Sequence, residues 1–518
     1  MMVNKLENKF EKMTGLAIIA FILIVYLPSI HNYLAGDDFE WLDASYGGLK
    51  HPSKLLETIN HFFRPLIKLT YLFNYAMMKT EPVGYNVCTL AFHLINVALL
   101  FLLMVRVTRR LPVAGLTALA YGISAKYSEV TLWSAGRPDS VLLIFMLGVL
   151  ILLNGRNGEK TIGRHAAILG LAVLAAGAKE TWVLLPFLAL GFLWIVKQKP
   201  FLSAVKSTVG LFLLLILYVG YFIGLPLITA NASPTAYGTA NILTMIHKFG
   251  FMLASYVGLG DSFTGTPFQL MLVALTLILL TGWMIVRKNR LALFGLIWML
   301  VTVAISLPIY FSPSRYNYLP LVGFWMMVMA LLECDILALM KRFSIKKVLV
   351  GAAIGSAVVA YTLFQVLMLR VEAADYRQRG DSHQILVEMY RRVKDAIPPN
   401  RPLVFIDLGQ RRAVDELARH IKGYRKLLFV RERAIWQQVF LGPMANFAGD
   451  PFARRLASVP PHEVSTVLSG EWTVLVFTDS GFFIPRTSEY KQKVRSYFGR
   501  YGQLPYKVEV LRWEQESI

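Results

Sequence analysis

Apolar and polar positions fall along this chain in long alternating blocks. Hydrophobic runs occupy residues 15–30, 86–105, 111–125, 138–153, 165–178, 181–196, 207–228, 267–286, 291–310, 317–340 and 348–369, separated mostly by short polar links. A helix that crosses the hydrocarbon core needs roughly 20 apolar residues, because lipid cannot satisfy free backbone amides. The pattern therefore predicts a polytopic α-helical membrane protein with about eleven transmembrane helices, some short enough to be tilted or re-entrant. The link at 31–85 is long, and over 51–79 it alternates charge with Leu, Phe and Tyr, which predicts one or two helices lying in the membrane interface. Residues 245–259 carry a second amphipathic, aromatic stretch.

The pattern changes after Arg370. Short apolar runs at Leu403–Asp407, Leu427–Val430 and Thr473–Asp479 lie between polar, partly helical stretches, and predict a small α/β domain with a partly parallel sheet. The chain thus divides into a membrane domain, 1–369, and a C-terminal domain, 370–518. No glycine-rich dinucleotide fingerprint follows any of these strands, and no cofactor is assigned.

Composition agrees with the span count. In 518 residues, 56% are hydrophobic, 16% are charged and the mean hydropathy is +0.52, more apolar surface than one soluble core can hide. The formal net charge of +21 would point to nucleic acid in a soluble protein. Here the cations crowd alternate links: Arg106–Arg110, Arg156–Arg164, Lys197–Lys206, Arg287–Arg290 and Lys341–Lys347. One topology puts all of these on the cytoplasmic side with the N-terminus, and an odd number of spans then sends the C-terminal domain outside. The first apolar run has no clear small-x-small cleavage site before Asp37, so it reads as a retained span of an inner or plasma membrane protein, a cleaved signal peptide being the alternative. The two cysteines, Cys88 and Cys334, fall near opposite faces and offer neither a disulfide framework nor a thiolate metal site.

With that topology the ionisable residues gather at the outer ends of the spans. Ala35-Gly36-Asp37-Asp38-Phe39-Glu40-Trp41 sets two adjacent carboxylates just past the first span, and acids kept beside hydrocarbon mark a functional site by default. The same face receives Arg64, Glu129, Arg137, Asp139, Lys179, Glu180, Arg315 and Tyr318. A carboxylate can take a proton from an attacking hydroxyl, and guanidinium or ammonium groups can stabilise a departing phosphate, so this set suits displacement of an anionic leaving group. Each has a plainer reading: the acid pair could hydrate a helix end, and Arg137 with Asp139, or Lys179 with Glu180, could be local ion pairs closing a turn. Tyr318 and the neighbouring aromatics could form a membrane-interface belt, and His61 and His93 could be satisfied interface or core groups; no HExxH or comparable spacing marks a metal site.

Six motifs stand in order along residues 15–340: Gly36-Asp37-Asp38; Phe62-Phe63-Arg64-Pro65-Leu66; Gly84-Tyr85-Asn86 with His93-Leu94-Ile95-Asn96; Tyr127-Ser128-Glu129-Val130 to Ala135-Gly136-Arg137-Pro138-Asp139; Ala178-Lys179-Glu180; and Ser314-Arg315-Tyr316-Asn317-Tyr318-Leu319-Pro320. Together they resemble the GT-C membrane glycosyltransferases, most closely the protein O-mannosyltransferase-like branch. The resemblance implies an inverting transferase that moves a sugar from a polyprenyl-phosphate-linked donor to an acceptor hydroxyl on the extracytoplasmic side, without a metal. By that likeness Asp37 is the general base, with Asp38 the second choice, and Glu129 orients acceptor or sugar. Arg137, Lys179 and Arg315 hold the lipid phosphate; Arg64, Asp139, Glu180 and Tyr318 complete the binding set. The acceptor can be a protein, a glycolipid such as lipid A, or a polysaccharide. The chain departs from the family in having Asp-Asp rather than Asp-Glu, in Tyr127 where His is common, and in lacking TPR repeats in its tail. Two other classes stay open on sequence: a transporter or lipid-linked-glycan flippase, which would show internal repeats and midplane polar groups that are not evident here, and an inactive scaffold.

Overall fold

The computed structural model of the protein describes residues 2–58, 62–79, 81–155, 162–224, 240–260, 262–309, 313–343, 347–393, 403–407, 473–478 and 481–483. The first half of the membrane domain is built from α1 (Met2–Tyr26), α2 (Asp37–Lys50), α3 (Pro65–Met78), α4 (Pro82–Thr108), α5 (Leu111–Gly122), the short α6 (Ser128–Leu132) and α7 (Pro138–Leu153). It continues with α8 (Ile162–Ala178), α9 (Leu185–Gly191), α10 (Phe201–Val219), α11 (Ile242–Tyr256), α12 (Pro267–Val286), α13 (Arg290–Ala304), α14 (Tyr318–Phe343) and α15 (Lys347–Val393).

Local sequence sets the ends of these helices. Pro65, Pro82 and Pro138 sit in the first turns of α3, α4 and α7, where a missing N–H costs nothing. Thr266 and Gln269 close a reciprocal capping box on α12, and the side chain of Asn289 accepts from the Ala292 N–H to cap α13.

Seven helices of the described residues are long and apolar enough to cross a membrane: Lys9–His31, Pro82–Thr108, Ser134–Leu153, Phe201–Phe222, Pro267–Val286, Ser314–Cys334 and Val348–Asp381. The shorter apolar helices Leu111–Gly122, Ile162–Ala178, Glu180–Val196 and Arg290–Ala304 fall on the remaining expected runs, below spanning length. The stretch 51–79, expected to hold one or two helices, contains a 3-10 turn over Pro52–Leu56 and α3, with α2 preceding it, and α11 covers most of the second expected stretch, 245–259. Among the described residues neither Cys88 nor Cys334 forms a disulfide.

Burial ranks the helices. The most apolar window of the Ser134–Leu153 helix is 78% buried and that of α12 only 6%, so α7 is the central post and α12 a peripheral, lipid-facing one. The central post carries Arg137 and Asp139 at its N-terminal end, the candidate site's own level.

Helices α13 and α14 cross at backbone contact. A Cβ on Gly295 would lie 2.6 Å from the Gly323 carbonyl oxygen, and the reverse approach is as tight. Trp298 Nε1–H donates to Leu319 O at 2.8 Å and Asn289 Nδ2–H to Ala330 O at 2.8 Å across the same crossing. Small residues let helices approach this closely in lipid. Replacing Gly323 by leucine is expected to destabilise the detergent-solubilised protein by about 3 kcal/mol, read as a lower melting temperature. Gly351→Leu, where nothing lies within 4 Å, is the control that leaves it unchanged.

The structure differs from expectation around Arg370. Helix α15 runs unbroken through that residue to Val393, because no proline and only Gly380 interrupts residues 370–393. Beyond it, strand β1 (Leu403–Asp407) pairs in parallel with β2 (Thr473–Thr478), with Leu403 opposite Thr473, and β3 (Gly481–Phe483) adds antiparallel to β2. The run at 427–430 and His61 lie outside the described residues.

Candidate active site

The acid pair opens α2 after a turn that needs glycine. Gly36 has φ +57°, a conformation other residues rarely adopt, and the Ala35 carbonyl accepts from Trp133 Nε1–H at 2.8 Å, tying this turn to the 126–139 link. The two acids then take different roles. Asp38 is 1% exposed; its Oδ2 accepts from the Ala35 N–H at 3.0 Å and its Oδ1 from the Tyr71 hydroxyl at 2.7 Å. Burial pushes its pKa up to about 6, against those hydrogen bonds and nearby Arg137. Asp37 is only partly buried, and among the described residues no hydrogen-bond or ion-pair partner holds its carboxylate. Burial holds its pKa above the usual carboxylate range, Glu129 pushes the same way, and Arg315 and Arg64 lie near enough to pull it down.

Three cations surround that face, each paired with an acid from a distant part of the chain. Arg64 forks onto Glu180, with Nε 2.9 Å and Nη2 2.7 Å from its oxygens, and lies 4.2 Å over the Phe62 ring. Lys179 Nζ sits 2.6 Å from each oxygen of Asp139, both side chains nearly fully buried. The Arg315 backbone N–H donates to Glu129 Oε2 at 3.0 Å, and its guanidinium is 3.8 Å from the same oxygen. The Tyr316 ring is flanked by Lys179 Nζ at 5.5 Å, Lys248 Nζ at 5.6 Å and Arg315 Cζ at 5.8 Å. A cavity of about 30 Å³ opens beside Lys179, Asp139, Thr181 and Tyr316, room for one or two waters and not for a sugar. The Thr181 hydroxyl that lines it has no protein partner among the described residues, the kind of group such a water satisfies.

Two expected ligand residues are instead enclosed by protein groups. Arg137 is 0% exposed, and its guanidinium donates to Ser134 O at 3.0 Å, Thr70 Oγ1 at 3.3 Å, Asn74 Oδ1 at 2.7 Å and Tyr85 O at 3.0 Å, with Cζ 4.3 Å over the Tyr71 ring. These bonds clamp α3, α4 and the start of α7 together. Tyr318 is also 0% exposed; its hydroxyl meets His93 Nδ1 and Asn96 Nδ2, each at 3.0 Å, while His93 Nε2 reaches Gly122 O at 2.9 Å. This is a buried polar network holding α4, α5 and α14, so Tyr318 and His93 are core groups. Gly136 is needed for the turn that brings Arg137 and Glu129 to one level, because a Cβ there would collide with the Glu129 carbonyl.

Residues that sequence reasoning passed over also reach this face. Lys248, 6% exposed, donates to Ser306 O at 2.7 Å and Ile309 O at 2.9 Å, and burial lowers its pKa to about 8. From α15, Gln365 Oε1 accepts from the Ala125 N–H at 2.8 Å and Glu372 Oε2 from the Ser128 hydroxyl at 2.9 Å. The signal for α15 was present: Tyr361, Gln365, Leu369, Glu372, Tyr376 and Gly380 repeat every three or four residues along one helix face. Among the described residues no three or more His, Cys, Asp or Glu side chains gather to hold a metal ion.

This helical scaffold, with its ionisable groups at helix ends, is shared with a solved structure. The chain is similar in fold to ArnT from Cupriavidus metallidurans bound to undecaprenyl phosphate, with a TM-score of 0.52 and 12% identity, over 90% of this chain and 93% of that one. Comparison with protein-family models and with curated protein sequences finds no match.

Proposed function

We propose that the protein is a glycosyltransferase that moves a sugar from a polyprenyl-phosphate-linked donor to an acceptor hydroxyl, inverting the anomeric centre. The observation that carries the reading is Asp37: among the described residues no hydrogen bond or ion pair holds its carboxylate, and Arg64 and Arg315 lie near it. The acceptor O–H proton passes to Asp37 as its oxygen attacks C1 of the sugar from the side opposite the phosphate. The C1–O bond to phosphate breaks, and the charge that appears on the departing phosphate meets Arg64, Lys179 and Arg315. Glu129 holds Arg315 in place through its backbone and guanidinium. Undecaprenyl phosphate bound to the structural neighbour supports a polyprenyl phosphate as the lipid.

In this reading the eleven apolar helices all serve as crossings or half-crossings, the N-terminus is cytoplasmic, and the face carrying Asp37 and the C-terminal domain is extracytoplasmic. The ordered motifs favour the protein O-mannosyltransferase-like branch, with a protein, glycolipid or polysaccharide hydroxyl as acceptor. The test is mass spectrometry of lipid that co-purifies with the protein. A polyprenyl phosphate, free or carrying a sugar, is expected with the parent and at least about tenfold less with Arg315→Ala, the loss of one charge-assisted contact. Bulk phospholipid alone in both samples would overturn the reading.

A further inference from the structure

Helix α15 touches the site on both sides. Near its outer part Gly380 lies against the segment that leads into Asp37: a Cβ there would be 2.7 Å from Tyr33 O and 3.0 Å from Tyr33 N. Two turns earlier Glu372 accepts from the Ser128 hydroxyl at 2.9 Å. Ser128 Oγ is in turn 3.4 Å from Ser314 Oγ, Ser314 Oγ accepts from the Glu129 N–H at 3.1 Å, and Glu129 Oε2 accepts from the Arg315 N–H at 3.0 Å. One carboxylate on α15 therefore heads a chain of contacts that ends on the acid and the cation facing Asp37.

Direction matters in such a chain. An ionised carboxylate only accepts, so Glu372 draws the single Ser128 proton toward itself. Ser128 then has only lone pairs to offer Ser314, so the Ser314 proton points back to Ser128, leaving a Ser314 lone pair for the Glu129 amide. Each hydroxyl is thus oriented by the one before it, and the first is oriented by Glu372.

We propose that Glu372 is a positioning residue that sets the orientation of the Glu129–Arg315 pair from outside the six motif segments, making α15 part of the site rather than a tether to the C-terminal domain. Its catalytic consequence rests on the glycosyltransferase reading; its structural content does not. Hydrogen–deuterium exchange on the full-length protein in nanodiscs tests it without donor or acceptor. In Glu372→Ala the amides of Glu129 and Arg315 are expected to exchange about tenfold faster, the size that one lost hydrogen bond gives, while Gly295–Thr302 in α13 keeps its protection. Glu372→Gln, whose amide oxygen still accepts from Ser128, should restore protection to near the parent. Ser128→Ala, which cuts the chain one link later, should reproduce the alanine variant and decides the matter if Glu372→Ala does not fold. Unchanged exchange in the alanine variants, or a glutamine variant as fast as alanine, overturns the proposal. A parent that shows full protection but transfers no sugar would count against the glycosyltransferase reading instead.

Discussion

Asp37→Asn is expected to transfer sugar from a polyprenyl-phosphate donor about 10²–10⁴-fold more slowly than the parent, while binding the lipid normally. The magnitude is that of a positioned general base, and asparagine keeps the shape of the side chain while losing its capacity to take a proton. The pH profile gives an independent reading. A base must be ionised to act, and burial holds the Asp37 carboxyl above its usual range. Parent activity should therefore fall as the medium is acidified, with its half-point above that of a free aspartate, and that acid limb should vanish from the residual activity of the variant. Asp38→Asn separates the pair: both oxygens of Asp38 are already engaged by Ala35 and Tyr71, so its loss should appear in stability before activity. Equal rates for the parent and Asp37→Asn would end the base assignment.

Arg137→Leu is expected to abolish recovery of folded protein. The substitution leaves buried acceptors on Ser134, Asn74 and Tyr85 without a donor, each at roughly 1–3 kcal/mol, several kcal/mol in total and comparable to the whole stability of many domains. Arg137→Lys should fare little better, because an ammonium cannot reproduce the planar fork that reaches three helices at once. Arg315→Leu supplies the contrast, since it should elute as a monodisperse species yet fail to retain a polyprenyl phosphate. Size-exclusion profiles and lipid binding on the same samples distinguish the two arginines. A well-folded Arg137→Leu protein that has lost only the lipid would return Arg137 to the ligand-binding set.

That contrast shows where sequence stops being informative. Arg137 and Arg315 each sit in a short polar link between apolar runs, and their one local difference, Asp139 two residues after Arg137, misleads because Asp139 pairs with Lys179. What separates them is the company supplied by distant chain: Asn74 and Tyr85 close around one, while the other faces the approach to Asp37. Tyr318 was opaque for the same reason, since His93 and Asn96 reach it from more than two hundred residues away. By contrast the apolar runs and the acid pair could be read directly, because hydrophobic length and adjacent charge are local properties. The continuation of α15 was legible in principle. Its stripe from Tyr361 to Gly380 keeps helical spacing across Arg370, but the drop in hydropathy there reads as a boundary when only the membrane signal is followed.

Arg64, Lys179 and Arg315 are each already matched to a carboxylate before any ligand arrives. In the proposed chemistry an incoming lipid headgroup must compete with Glu180, Asp139 and Glu129 for cations those acids hold at rest. The abundant anionic phospholipids of the surrounding bilayer, which bring a single diffuse charge and no specific sugar contacts, gain little from that exchange. A phosphate that acquires a second charge as its bond to sugar breaks gains most at that moment, so the resting ion pairs act as a filter against the protein's own solvent and release their cations when the leaving group forms.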